Sequence, residues 1–160
     1  MLKKIFFAAV LLMAASVYAA DGINVVDGDS LEVGNERLRL MNIDAPEFFQ
    51  KCHDASGWKY LCGFEATEYL KKLMSGQVRC ERYGKDRYGR SLVECYRADG
   101  MNIGQEMVRS GWATAYNEKY QADERQARAM KKGIWQGKFM RPELYRGLKR
   151  SYEALKNEKR

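Results

Sequence analysis

The sequence predicts an α+β chain, mainly β, in which five short strands in hairpin-like order form a small Greek-key barrel carrying about three to four helices. Three observations lead there. Short β-prone runs separated by turn residues dominate the first part of the chain after its leader; two more such runs carry cysteines at matching distances from a glycine-containing turn; and apolar residues at helical spacing appear only between and after these strands.

Taken in order, strands are read at Ile23 to Val26, Leu31 to Val33 and Arg37 to Ile43, with Gly34 and Asn35 turning between the last two. Ala66, Tyr69, Leu70, Leu73 and Met74 then repeat at helical spacing, and Gly76 stops that helix. Val78 to Arg82 and Leu92 to Tyr96 form the cysteine hairpin. Asn102 caps a short helix through Ile103, Met107 and Val108 that Gly111 ends, and another helix runs from about Glu118 to a stop at Gly133. Pro142 opens the last helix, whose apolar stripe is Leu144, Leu148, Tyr152 and Leu155. Five strands in this order fit the OB-fold, the commonest small barrel that grips nucleic acid strands, although fold alone does not give function.

The N-terminus reads as a secretory leader over residues 1–19. Lys3 and Lys4 precede an apolar run from Ile5 to Ala15, and Val17 and Ala19 occupy the small-residue positions before a cleavage site near Ala20. The run is too short to span a bilayer, and no stop-transfer stretch follows. Export to a periplasm or to the medium is therefore expected, with no membrane attachment after cleavage. Loss of residues 1–19 removes two lysines and no acids, so the formal charge falls from +7 to +5 over the remaining 141 residues. Residues 20–160 form one domain ending in a basic helix, and a monomer is expected. The positive balance favours anionic partners.

All four cysteines lie in the exported part and none falls in the spacing of a zinc ribbon or redox centre. Four cysteines allow three pairings, of which local geometry favours Cys52 with Cys62 and Cys80 with Cys95. The second is a cross-strand link, because the hairpin loop is centred midway between the two sulfurs.

Three clusters carry chemistry. Asp27-Gly28-Asp29-Ser30 places two carboxylates around a glycine where one strand gives way to the next, a pattern that also makes an ordinary turn. It is no EF-hand, since further acidic ligands and a closing Glu are missing. In Leu38-Arg39-Leu40 the two leucines face the core and Arg39 the opposite side, while Pro46 forces Ala45 extended and brings Asp44 and Glu47 to the strand exit. Asp86-Arg87-Tyr88-Gly89-Arg90 forms the turn of the cysteine hairpin.

Together these clusters resemble the thermonuclease, or staphylococcal nuclease-like, family, from about residue 22 to residue 146, in the form of an exported bacterial member. The resemblance rests on the D-G-D-[TS] turn at Asp27 to Ser30, the R-L-x5-P-E strand exit around Arg39, Asp44, Pro46 and Glu47, and the D-x-Y-G-R turn at Asp86 to Arg90. Val108 to Ala113, Gly133-Ile134-Trp135 and the closing P-x-x-[WY]-R at Pro142 to Arg146 add to it.

The resemblance implies a calcium-dependent phosphodiesterase that hydrolyses DNA and RNA to 3′-phosphorylated products. It makes Asp29 and Asp44 the carboxylate ligands of one Ca2+, with the backbone carbonyl of Ala45 as third protein ligand; the family often has Thr at this position, and a carbonyl survives the change. It makes Glu47 the water-activating residue and Arg39 and Arg90 the phosphate-binding pair. An oxygen-only donor set suits a hard cation, and planar guanidiniums match the charge that grows on an attacked phosphodiester. Tyr88 and Tyr116 are candidates to stack on substrate, or else ordinary core and hairpin aromatics. His53, the only histidine, is read as a bystander.

Two other functions compete. A non-catalytic OB-fold module could bind single-stranded nucleic acid, but it would need no water-activating Glu beside a metal. A membrane-surface protein using the last helix would need a larger apolar face than its four residues provide.

Overall fold

The computed structural model describes residues 16–19 and 22–158. Most of the expected leader lies outside the described residues. Its last part, Ser16–Ala19, is a short strand, β1. There follow β2 (Ile23–Val25), β3 (Ser30–Val33), β4 (Glu36–Leu40), β5 (Ile43–Asp44), β6 (Cys52–His53), β7 (Lys59–Tyr60), α1 (Cys62–Leu73), β8 (Gln77–Lys85), β9 (Ser91–Arg97), α2 (Ile103–Arg109), β10 (Thr114–Ala115), α3 (Gln121–Ala129) and α4 (Pro142–Glu158). Single 3-10 turns at Glu118–Tyr120 and Gly133–Gln136 flank α3.

The main sheet has the order β1-β8-β9-β4-β3-β2. The five strands read from the sequence are its β2, β3, β4, β8 and β9, and four α-helices accompany them, which gives the α+β class and the OB-type arrangement. Among the described residues strand pairing does not close the sheet on itself: β1 and β2 are its edges. β4 and β9 run parallel while the other neighbours are antiparallel, so the hairpin folds back beside the strand that bears Arg39.

Alternation places the core. Leu38 and Leu40 on β4, Leu31 on β3, Val78 and Cys80 on β8, and Val93 and Cys95 on β9 are all buried against Leu70 of α1 and Ile103, Met107 and Val108 of α2. The helices thereby cover one face of the sheet, and Arg39 is left on the other. Asn102 caps α2 as its sequence position requires, its side chain accepting from the Gln105 amide at 2.9 Å.

The strand expected from Arg37 to Ile43 is broken. Asn42 adopts φ +68, a left-handed conformation that Asn tolerates better than most residues, and this turns the chain out of the ladder. Ile43 and Asp44 then pair with Ala115 and Thr114 in a separate two-stranded ladder. The helix expected from Glu118 to Gly133 is likewise shorter, because Lys131 and Gly133 both take positive φ.

Both expected disulfides are present, Cys52–Cys62 and Cys80–Cys95, and no free cysteine remains among the described residues. Cys80 and Cys95 are direct cross-strand partners. Cys52 and Cys62 join a second apolar cluster with Ile134, which ties the loop after Glu47 to the start of α1. No helix among the described residues is long and apolar enough to cross a membrane.

Candidate active site

The turn between β2 and β3 is held by more than its own sequence. Asp27 Oδ1 accepts the Asp29 amide at 3.0 Å, and the Leu40 amide donates to the Asp29 carbonyl at 2.9 Å, tying the turn to the end of β4. Gly28 is required for packing: a Cβ there would lie 2.7 Å from the Ala45 Cβ and 3.1 Å from that of Ala66, so only glycine lets α1 and the Ala45 segment approach. Asp29 is buried, and its carboxylate accepts from the Ala45 amide at 3.0 Å and from Ser30 Oγ at 2.9 Å.

Register brings the first arginine to it. Ser30 pairs with Arg39 across β3 and β4, which sets the guanidinium over the carboxylate of the preceding residue. Arg39 Nη1 lies 2.5 Å from Asp29 Oδ1 and Nη2 lies 3.1 Å from Asp44 Oδ1, bridging the two acids. Asp44 is held in place by its backbone, whose carbonyl accepts from Thr114 Oγ1 at 3.0 Å across the short ladder.

Glu47 follows in a turn closed by the Gln50 amide, which donates to the Glu47 carbonyl at 2.7 Å. Gln50 is fully buried and its side chain reaches the Met140 carbonyl, so the turn is anchored to the segment entering α4. Gly63 in the first turn of α1 lies against the Glu47 carbonyl: an added Cβ would sit 1.7 Å from its oxygen. The Glu47 side chain itself remains 34% exposed.

The hairpin turn presents Arg90 separately. Asp86 Oδ1 accepts the amides of Tyr88 and Arg90, and its Oδ2 accepts Arg90 Nε at 2.8 Å. Leu38 pairs with Ser91, so Arg90 enters the sheet beside the strand of Arg39. Among the described residues the terminal nitrogens of Arg90 make no hydrogen bond, which leaves their N–H groups available to donate. Tyr88 and Tyr116 are exposed, which removes the core reading of both. The Arg90 guanidinium lies 5.7 Å from the Tyr88 ring centre. Tyr116 borders a pocket of about 70 Å3 together with Asp44, Thr114, Ala115, Arg141 and Glu143. His53, on β6, belongs to none of these contacts.

One further cation is present. Arg146, in the second turn of α4, places Nη1 2.9 Å from Asp44 Oδ1 and 3.1 Å from Glu47 Oε1, with Nη2 3.0 Å from Asp44 Oδ2. Three carboxylates and two arginines thus form one bonded group at the mouth of the sheet.

The staphylococcal nuclease homologue family matches residues 37–137, well over half of the chain. The chain belongs to this family. It is also similar to an uncharacterized endonuclease of Escherichia coli O157:H7, 40% identical over 71% of this chain and 74% of that protein. The succinoglycan biosynthesis protein ExoI of Rhizobium meliloti (strain 1021) is 38% identical over 79% of this chain and 72% of its own length. Endonuclease YhcR of Bacillus subtilis (strain 168) is 33% identical over 69% of this chain, which corresponds to 11% of that longer protein. Membership carries the coarse activity, hydrolysis of nucleic acid.

Within that family frame the donor set fits a hard cation. Burial, the largest influence, pushes the Asp29 carboxyl up to about 6 even though Arg39 pulls the other way, and Asp27 adds to the rise. A buried carboxylate that one guanidinium does not fully compensate is suited to a small cation with oxygen preference. Among the described residues no three His, Cys, Asp or Glu side chains gather into a metal cage, so protein ligation would rest on Asp29, Asp44 and a backbone carbonyl, with the remaining positions left to water and phosphate.

The sequence placed Asp29, Arg39, Asp44 and Glu47, and the structure brings these four together, whereas Arg90 stands apart on its Asp86 support. Two further residues take part in the site. Asp86 belongs to the D-x-Y-G-R motif, and only the hairpin turn brings its carboxylate to Arg90 Nε. Arg146 ends the closing motif, and nothing local to it signals its contacts with Asp44 and Glu47.

Proposed function

We propose that the chain is an exported, calcium-dependent phosphodiesterase that hydrolyses DNA and RNA and leaves 3′-phosphate ends. The observation that carries this reading is the single bonded group of Asp29, Arg39, Asp44, Arg146 and Glu47, in which Arg39 bridges two buried acids and Arg146 links Asp44 to the more accessible Glu47 carboxylate. Asp29 and Asp44 with the Ala45 carbonyl would hold Ca2+, which when bound would offset charge on the attacked phosphate.

The chain's own residues do the rest. Arg39, fixed by two carboxylates, and Arg90, fixed by Asp86, present planar donors to phosphate oxygens, so that their bonds strengthen as negative charge grows. Glu47 accepts a proton from the attacking water, and its partial exposure leaves room for that water. Tyr88 and Tyr116 offer exposed rings at the hairpin turn and beside Asp44 for bases of a single strand. The mature protein would begin near Ala20 and act as a monomer in a periplasm or in the medium. The two disulfides are compatible with that compartment.

The test is incubation of the purified chain with single-stranded DNA in calcium, with and without chelator, and mapping of the product ends with a phosphatase specific for 3′-phosphate. Cleavage that stops with the chelator and yields phosphatase-sensitive 3′ ends supports the reading. Tight binding without cleavage in calcium would replace it with the binding-module reading.

A further inference from the structure

We infer that Arg146 is a third working arginine of the site: it competes with the cation for Asp44 and passes to a substrate phosphodiester when cation and nucleic acid bind, so that each favours the other. This rests on the calcium reading above.

Arg146 reaches across the fold to Asp44 and Glu47, 102 and 99 positions away in sequence. Among the described residues its three contacts go to two acids, the expected metal ligand and the expected water activator, and they engage both oxygens of Asp44. Arg39 already holds Asp44 Oδ1, so that oxygen is shared by two guanidiniums. Burial disfavours the Arg146 charge, but its bonds to Asp44 and then Glu47 outweigh this and keep it a cation. A divalent ion ligated by Asp44 would therefore face a fixed positive charge beside it, and repulsion between like charges at this range lowers the ion's affinity.

A phosphodiester resolves that conflict. It is anionic, it presents paired oxygens that match a guanidinium, and it is the group the site is proposed to bind. Arg146 is long enough to change partner without moving α4, since its head rather than its stem makes the contacts. Once it does, Asp44 is released to the cation and Glu47 to water. By linkage, whatever factor phosphate adds to cation affinity, the cation adds to nucleic-acid affinity.

The alternative role is an anchor for α4, on which only Pro142 is buried and the stripe Leu144, Leu148, Tyr152 and Leu155 is exposed. The two roles differ in sign. An anchor, when removed, loosens α4 and leaves cation affinity unchanged or lower.

The experiment is calorimetric titration of Ca2+ into the wild type, Arg146→Met and Arg146→Lys without nucleic acid, followed by binding of a short phosphorothioate oligothymidylate in saturating Ca2+. Circular dichroism confirms that each variant is folded, and the main core contains no part of α4. Arg146→Met should bind Ca2+ about tenfold more tightly, a change of about 1.4 kcal/mol. It should bind the oligonucleotide about tenfold more weakly, with Arg146→Lys between the two in both measurements. Unchanged or weakened Ca2+ binding in Arg146→Met overturns the inference, as does unchanged oligonucleotide binding. A wild type that binds no Ca2+ overturns this inference together with the calcium reading, so the two failures are told apart.

Discussion

Arg146 and Asp44, 102 positions apart, share a hydrogen bond of 3.0 Å and an ion-pair contact of 2.9 Å, and through Asp44 the C-terminal helix joins the group that β3, β4 and β5 assemble. Every side chain in that group is held by a second element, which makes single substitutions informative.

Glu47→Gln keeps the size of the side chain and its ability to accept from Arg146, but it removes the basic carboxylate. Turnover should fall by about 10²–10⁴, the usual contribution of a general base. Binding of a short single-stranded DNA in calcium should persist or tighten. Wild-type turnover in a gel-based cleavage assay would show that Glu47 does not activate the water.

Arg90→Lys keeps the charge and loses the planar donor, so turnover should drop by roughly a hundredfold with little change in thermal stability. Asp86→Ala should act in the same direction and less strongly, because it frees the guanidinium from its support at Nε without removing it. If Asp86→Ala left kcat untouched while Arg90→Lys abolished it, the hairpin turn alone would suffice to aim Arg90.

Chelation should abolish cleavage, and added calcium should restore it better than zinc, since carboxylate and carbonyl oxygens favour a hard cation. Hydrolysis that survives excess chelator would remove the metal from the mechanism.

Gly63→Ala should damage both stability and activity. The new methyl would lie 1.7 Å from the Glu47 carbonyl carbon's oxygen, so the turn carrying Glu47 has to shift. A loss of about 1–3 kcal/mol in chemical denaturation is expected, the range for overpacking, together with reduced kcat. Gly22→Ala, where an added Cβ meets nothing within 4 Å, is the control and should change neither.

The double substitution Cys80→Ala, Cys95→Ala should lower stability by roughly 2–4 kcal/mol, as removal of a cross-link closing a loop of this length does. Both residues are buried on the core side of the hairpin, so the folded variant should retain activity. Thiol titration of the native wild type should find no free cysteine.

Much of the fold was legible because it is encoded between near neighbours. Leu38, Arg39 and Leu40 declared their faces by alternation, Asn102 declared a helix start, and the matching distances of Cys80 and Cys95 from the turn fixed the hairpin register. The break at Asn42 was not legible in this way. Asn is poor in strands and tolerates a left-handed φ, but that alone does not fix the break, which is held by long-range bonds, the Asn42 side chain donating to Glu94 and accepting from Asn117.

By itself, the sequence determined the five main strands up to the break at Asn42, the cap at Asn102 and the favoured disulfide pairs, and its motifs marked Asp29, Arg39, Asp44, Glu47 and Arg90, since each of these signals lies in residue type and spacing within a few positions. Only the tertiary structure decided that Gly28 and Gly63 are contact points, that Asp44 leaves the main sheet for a ladder with Thr114, and that Arg146 joins Asp44 and Glu47. The physical reason is range: periodicity and turn chemistry act over a few residues, whereas an ion pair spanning about a hundred depends on where the first turns of α4 come to rest against the loop after β5.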